Sequence, residues 1–303
     1  MADQTARYRP VSDQRPRFAA PATLRLLRST QGVIRSAKQD ERRHHLMATL
    51  LVLGSKPEPV LPPAGGFDAL ACANASGRSA ARLGLPDPTF TVISAILTSG
   101  KQAPNRLALE ALAGLRTGAL YFYPRPVRGR GPLRRALYRL RSLKTSPWYF
   151  KSRMRSLPYV FERFEDPGLL RYQGMLAELC DGDPGLIAQV RAKQPSSGML
   201  ALAIGLAWHG FERCILSGFS FEITHAYADN PLIRERGSAA SKHADTDVGL
   251  LRHLCKRFGT IYTTEPVVSE RANVPLLPDP GPPARREAGT GWPTHRTDRR
   301  ARA

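Results

Sequence analysis

Acidic residues are scarce in this 303-residue chain: 25 Asp and Glu stand against 45 Lys and Arg, a formal net charge of +20. Such an imbalance draws a protein to polyanions, whether phosphates, nucleotides, nucleic acid or an anionic membrane face. Cysteine is sparse as well. Cys72, Cys180, Cys214 and Cys255 are scattered through apolar surroundings, with no Cys-x-x-Cys pair and no Cys/His cluster. That excludes a disulfide framework and a zinc module, and predicts reduced, buried thiols in a reducing compartment. No apolar stretch approaches the roughly 20 residues of a membrane helix. The longest, Met199 to Trp208, reads as a buried core helix. The N-terminus has charges but no apolar h-region, so no signal peptide is read, and a segment rich in Arg and poor in Ser is a weak transit peptide. A cytoplasmic location is the expectation. The Gly-x-Gly-x-x-Gly fingerprint and the Walker A motif are both missing. Pro (26) and Gly (25) are plentiful but follow no Gly-x-y period, which excludes collagen and points to disordered ends.

The length suits one or two domains. Residues 1–45 hold ten Lys/Arg and four Asp/Glu, with only Ala20 to Ile34 able to form a basic amphipathic helix. Residues 275–303 are rich in Pro, Gly and Arg. Neither end can bury enough apolar area to offset its chain entropy, so both are predicted to be mobile. The fold is assigned to residues 46–274. There, continuous apolar runs alternate with helical patterns. Strands are predicted at Met47–Leu53, Phe67–Ala73, Thr89–Ser94, Ala119–Tyr123, Arg213–Ser217 and Thr260–Thr263. Helices are predicted at Asn105–Arg116, Ser197–His209 and Asp247–Arg257. That pattern is an α/β fold: a mainly parallel, doubly wound, Rossmann-like sheet with helices on both faces. Ligands bind such sheets at the carboxyl ends of the strands, near a change of strand order. The residues just after each strand therefore matter most.

Gly54-Ser55-Lys56 follows the first strand. Gly permits a tight turn and close approach of backbone to a phosphate, and it equally serves an ordinary turn. Asn74 closes the second strand, where its amide can bind a sugar or base, or simply make the turn. Ser196-Ser197-Gly198 opens the most apolar helix. A Ser there caps the helix, and the same helix start offers free N–H groups and a positive dipole end to an anion. Gly218-Phe219-Ser220-Phe221-Glu222 leaves the fifth strand for a long polar stretch with His225 and Tyr227, a place suited to a lid or to plain surface. His243 precedes the helix that Asp245 or Thr246 can cap. Just outside the positive end its imidazolium is disfavoured, and a neutral ring suits a general base, although a lone His is commonly a surface residue.

In this order the pieces resemble the bacterial sialyltransferases of glycosyltransferase family 42. Pro195-Ser196-Ser197-Gly198, with its apolar helix and the strand ending in Ser217-Gly218-Phe219-Ser220-Phe221, is similar to that family's Ser-Gly helix and following strand. His243-Ala244-Asp245-Thr246-Asp247, with its helix and the strand at Ile261-Tyr262, resembles the family's His-x-x-Thr-Asp segment. Leu51-Val52-Leu53-Gly54-Ser55 and Cys72-Ala73-Asn74 fall where the first nucleotide loop and the Cys-Asn turn belong. The resemblance implies a GT-A-like sheet and an inverting, metal-independent transfer of sialic acid, or a related nonulosonic acid, from a cytidine monophosphate (CMP)-linked donor to a glycan hydroxyl. No cofactor is implied. Gly54, Ser55, Asn74, Ser196, Ser197, Gly198, Gly218, Phe219 and Ser220 would hold the donor. His243 matches the general base, and Tyr227 the second of two tyrosines beside the departing phosphate. Glu222 stands where the first is expected, and a carboxylate there repels a phosphate.

Between Pro124 and Arg155 lie eleven Lys/Arg and no acid, interleaved with Tyr138, Trp148, Tyr149 and Phe150. Pro132 to Lys144 is predicted as a helix within a basic lid, spanning about residues 124–160. A solvated lid face is one reading. A polyanion surface is the other, for a glycan or lipid-linked acceptor or an anionic membrane at the cytoplasmic face. A polyanion- or nucleic-acid-binding protein without catalysis is the alternative to a transferase, and an inactive nucleotide binder is a third. Nucleic acid ranks behind the donor because no recognised nucleic-acid motif is present.

Overall fold

The computed structural model describes residues 48–56, 58–99, 103–124, 143–223, 227, 231 and 240–278. The N-terminal segment, His225, the charged tail beyond 278 and most of the lid helix expected at Pro132–Lys144 lie outside them. Seven strands form one sheet: β1 (Thr49–Leu53), β2 (Ala69–Ala73), β3 (Phe90–Ser94), β4 (Arg116–Tyr123), β5 (Val160–Glu165), β6 (Arg213–Ser217) and β7 (Ile261–Thr263). Their order is β5-β4-β3-β2-β1-β6-β7, and every neighbouring pair is parallel. Parallel neighbours need crossovers, and the helices provide them. These are α1 (Ser76–Arg82), α2 (Ala103–Glu110), α3 (Pro147–Ser156), α4 (Gly168–Leu179), α5 (Pro184–Ala192), α6 (Ser197–Ile204), α7 (Ala244–Phe258) and α8 (Pro266–Ala272).

The central strands are mostly apolar and almost wholly buried because both faces are covered. In β1, Leu50 and Val52 face the cluster that includes Met199, Leu200 and Leu251. Leu51 and Leu53 face the opposite cluster, with Cys72, Ala80 and Ile215. All four leucine and valine side chains are fully buried. Helix α6 is buried at every residue, which its unbroken apolar sequence dictates, and it lies across β1, β2 and β3. Helix α7 is amphipathic instead. Leu250, Leu251 and Leu254 are buried, and acids in its first turn and bases in its last suit its dipole.

The boundaries differ from the sequence reading in four instructive places. Arg116, predicted at the end of a helix, begins β4; the helix stops at Glu110 and a short turn through Gly114 intervenes. The helix predicted to reach His209 is α-helical only to Ile204. Residues Gly205–His209 are a π-helical turn, closed by the Gly210 N–H on the Gly205 carbonyl. Strand β5, with its helical neighbours α4 and α5, has no counterpart in the sequence reading. Its sequence, Val-Phe-Glu-Arg-Phe-Glu, is half charged because it is the sheet's edge. Finally, the fold runs past residue 274. Leu276 bridges Thr263 beside β7, and the Thr263 N–H donates to the Pro275 carbonyl at 3.0 Å. Three cysteines are buried and Cys255 is half-buried; all four are free thiols. No helix among the described residues is long and apolar enough to cross a membrane.

Strand order reverses between β1 and β6. Their outgoing loops leave the sheet side by side, and one buried carboxylate holds both. Glu265 is fully buried and accepts from the Gly218 N–H and the Val60 N–H, each at 2.9 Å. It also pairs with Lys56. Replacing Glu265 by Ala leaves the buried Gly218 N–H, the part-buried Val60 N–H and an ammonium unpaired, and such a loss costs on the order of 3 kcal/mol. Urea unfolding of Glu265→Ala should show that drop, whereas an unchanged midpoint would mean that the loops hold without it.

Candidate functional site

The carboxyl ends of β1, β2 and β6 and the starts of α6 and α7 converge on one rim. Gly54 ends β1 with its N–H on the Ser217 carbonyl at 2.8 Å. A Cβ at Gly54 would come within 2.2 Å of the Gly218 oxygen, so the two loops touch backbone to backbone and only glycine fits. Gly218 has a φ of +72°. Its N–H serves Glu265 and its carbonyl accepts from the Lys56 N–H at 2.9 Å. Both of its polar groups are therefore committed to the fold. Ser55 beside it is half-buried.

Asn74 follows β2 in the left-handed region, φ +53°, which Asn tolerates better than most residues. Its Oδ1 accepts from the Ser94 N–H at 3.0 Å and from the Ser197 hydroxyl at 3.3 Å. The second contact joins the end of β2 to the start of α6. Ser196 is the cap of α6; its Oγ accepts from the Met199 N–H at 3.3 Å. Gly198 leaves room for Phe219, since a Cβ there would stand 2.7 Å from the phenyl ring. Phe219 is thus a packing residue under the helix start. The Ser220 hydroxyl accepts from the Glu222 N–H at 3.3 Å. Glu222 is exposed, and its backbone bridges Ala240 antiparallel. Tyr227 is buried in the apolar cluster that includes Phe150, Met154 and Leu97.

His243 occupies the cap position of α7, but its side chain makes no capping bond, and neither Asp245 nor Thr246 is the cap. The helix begins three residues before the predicted Asp247. Asp245 and Thr246 therefore lie inside its first turn, which removes them from the cap position. The His243 Nδ1 lies 2.7 Å from the Gln194 carbonyl oxygen. A carbonyl only accepts, so Nδ1 carries the proton and Nε2 keeps the lone pair. Burial holds the ring's pKa below its ordinary value; the Gln194 bond opposes this, and Lys242 and Lys193 add to the lowering.

Asp247 enters the sequence reading only within a motif, not as a site residue. It is buried, and its Oδ1 accepts from the Ser196 N–H at 2.9 Å. Burial pushes its carboxyl up to about 7, against the pull of Ser196 and Lys193. A signal for it exists: Asp247 shares a helix face with Leu250, Leu251 and Leu254, so a carboxylate sits on an apolar stripe. Tyr123, at the end of β4, is a second residue that sequence reasoning misses. Its hydroxyl is raised by burial first and by Asp247 second. Its oxygen and that of Thr246 are buried with no hydrogen-bond partner among the described residues. Such orphaned groups are the kind that a bound molecule satisfies.

Two surface cavities, of about 410 and 540 Å³, are lined by residues such as Lys151 and Phe161 at β5, and Lys256 and Asn273 behind α7. Neither is bordered by Asn74, Ser197 or His243, so the rim is marked by its chemistry. Among the described residues no group of three or more His, Cys, Asp or Glu stands together as a metal site.

The chain is similar to solved sialyltransferases of Campylobacter jejuni. CstII in complex with cytidine-5′-monophosphate is 16% identical, with a TM-score of 0.43 over 77% of this chain and 86% of that chain. CstII with a trisaccharide acceptor and CMP is 14% identical, with a TM-score of 0.42 over 76% and 86%. The monofunctional α-2,3-sialyltransferase Cst-I is 14% identical, with a TM-score of 0.43 over 77% and 81%. No family model and no curated protein matches the chain. The likeness is distant, and the chemistry of the rim is read from this chain's own residues.

Asp247 gives a pH test. The folded state holds that proton up to about pH 7, while an unfolded carboxyl releases it near 4. The folded protein then binds more protons between these values, so this group's contribution to stability falls as pH rises from about 4 to 7. His243 acts oppositely, losing stability as pH falls below its ordinary range. Asp247→Asn keeps an acceptor for Ser196 without the titration. Denaturation at pH 4.5 and 7.5 should show the variant gaining on the parent with rising pH, on the order of 3 kcal/mol for a shift of that size. Parallel curves would contradict the buried carboxyl.

Proposed function

We propose that the protein is an inverting glycosyltransferase that moves sialic acid, or a related nonulosonic acid, from a CMP-linked donor to a glycan hydroxyl. The observation that carries this reading is the His243 ring, held by the Gln194 carbonyl with its Nε2 lone pair available, beside the capped start of α6. The sequence resemblance of the two segments around Ser197 and His243 supports it.

In this reading the start of α6 faces the anionic part of the donor, where its N–H groups and dipole favour negative charge. Asn74, Ser197 and the Gly54-Ser55 turn hold the nucleotide. Nε2 of His243 takes the proton of the acceptor hydroxyl as its oxygen attacks the anomeric carbon. The bond from that carbon to the phosphate oxygen breaks with its electron pair, and CMP leaves from the opposite side. Tyr227, which the resemblance sets by the departing phosphate, is buried in the apolar cluster of Phe150 and Met154 and acts through packing in this reading. The resemblance assigns no metal to this step. Gly218 and Phe219 act through the fold, placing the loop rather than touching the donor.

Thermal unfolding of the purified protein with CMP, uridine diphosphate, guanosine diphosphate and adenosine monophosphate tests the donor. A ligand at a hundred times its dissociation constant adds about 2.7 kcal/mol. CMP alone should stabilise, and Asn74→Ala or Ser197→Ala should abolish the shift. Stabilisation by another nucleotide would change the donor, and none by any would favour the polyanion-binding reading.

His243→Ala should keep the CMP shift and lose turnover by at least about a hundredfold, within the usual range for a general base. Because burial lowers the His243 pKa, the acid limb of kcat/KM should lie below pH 6.5 and vanish in the variant. An acid limb retained in His243→Ala would assign the base elsewhere.

A further inference from the structure

Two hydrogen bonds join the start of α7 to the three residues that precede α6, and both leave one face of α7. His243 and Asp247 stand one helical turn apart, with the Asp247 N–H on the His243 carbonyl at 2.9 Å, so their side chains share a side of the helix. The His243 Nδ1 meets the Gln194 carbonyl at 2.7 Å, and the Asp247 Oδ1 meets the Ser196 N–H at 2.9 Å. Pro195 lies buried between the two partners. Its ring fixes φ, which leaves the peptide units on either side little freedom relative to one another. A segment held only at Gln194 could swing about that bond. Held at Ser196 as well, it has one orientation.

The Asp247 bond also bears on the neighbouring helix start. The Ser196 hydroxyl caps α6 at the Met199 N–H, and the next residue, Ser197, reaches Asn74. One carboxyl therefore registers the base of α7 against the start of α6.

We infer that Asp247 is a positioning residue: by holding the Ser196 N–H it aims the Gln194 carbonyl, which fixes the tautomer and direction of the His243 ring. For the work of that ring as a base this rests on the transferase reading above; the placing of the ring does not. An N–H needs an acceptor and not a charge, so Asn serves at this position where Ala cannot. The charged groups about the pair are Lys242, next to His243, and Lys193, at the end of α5 and paired with Asp245 at 3.7 Å. The Tyr123 hydroxyl at the end of β4 lies within electrostatic reach of Asp247.

Nitrogen-15 NMR of the histidine rings in the full chain, without nucleotide, reads the ring directly, with the His243 signals identified by their loss in His243→Ala. The parent and Asp247→Asn should show the proton on Nδ1. Asp247→Ala should show the mixture of tautomers of an unheld imidazole, its pKa returning toward about 6.5. A second pair of variants acts from the other partner. Ser196→Pro removes the N–H at a φ of −64°, which proline adopts, and should copy Asp247→Ala; Ser196→Ala removes only the cap and should leave the ring as in the parent. In turnover, kcat of Asp247→Ala should fall about tenfold or more, as for a misaimed group, with its acid limb moved up, and Asp247→Asn should restore both. A folded Asp247→Ala that melts earlier but keeps the Nδ1 proton and the acid limb would overturn the inference, and so would Asp247→Asn behaving like Asp247→Ala. A parent without turnover on any CMP-linked sugar would remove the proposed reaction and leave the ring measurement to decide, so the two failures are read apart.

Discussion

The arrangement turns on the place where strand order reverses. A parallel sheet that grows from β1 in one direction and then returns to add β6 and β7 on the other side brings the β1 and β6 loops out side by side. The two loops leave the sheet in direct contact at Gly54 and Gly218, closer than any side chain allows. Glu265, from beyond β7, reaches back to hold both. A buried carboxylate on two backbone N–H groups and an ammonium is strong only because all its partners are present. Without it the contact between the two loops has no anchor.

Beside these loops, two helix starts are tied to each other. The Asp247 carboxyl holds the Ser196 N–H, and the Gln194 carbonyl holds the His243 ring. A third link, from Ser197 to Asn74, ties α6 to the sheet. Each helix start leaves N–H groups unpaired within the helix, so the region is electropositive by construction. Lys193 and Lys242 add to this and help keep His243 neutral. The result is an electropositive rim that carries one base, a combination suited to an anionic donor and a hydroxyl acceptor.

Much of this was legible in the chain. The apolar runs of β1, β2, β3 and β6 needed no context, because a strand buried on both faces carries its signature in every residue. The Ser196 cap, the Asn74 turn and the placement of His243 before a helix were equally local. Strand β5 was not legible, since an edge strand is half polar and its pairing partner, β4, is set by the whole sheet. The start of helix α7, three residues before Asp247, is not legible because it has no side-chain cap.

Sequence alone therefore determined the fold class, the basic character and the short segments that carry chemistry, since propensity, periodicity and charge are local properties. Tertiary structure decided what those segments do. Gly218 and Phe219 became packing residues once the β1 and β6 loops and α6 met. Asp247 became a buried carboxyl only when Ser196 came to it from 51 positions away. Glu265 became the anchor of loops that include Lys56 and Val60, 209 and 205 positions earlier in the chain. Such roles depend on burial and on partners distant in the chain, and these exist only after the sheet has closed.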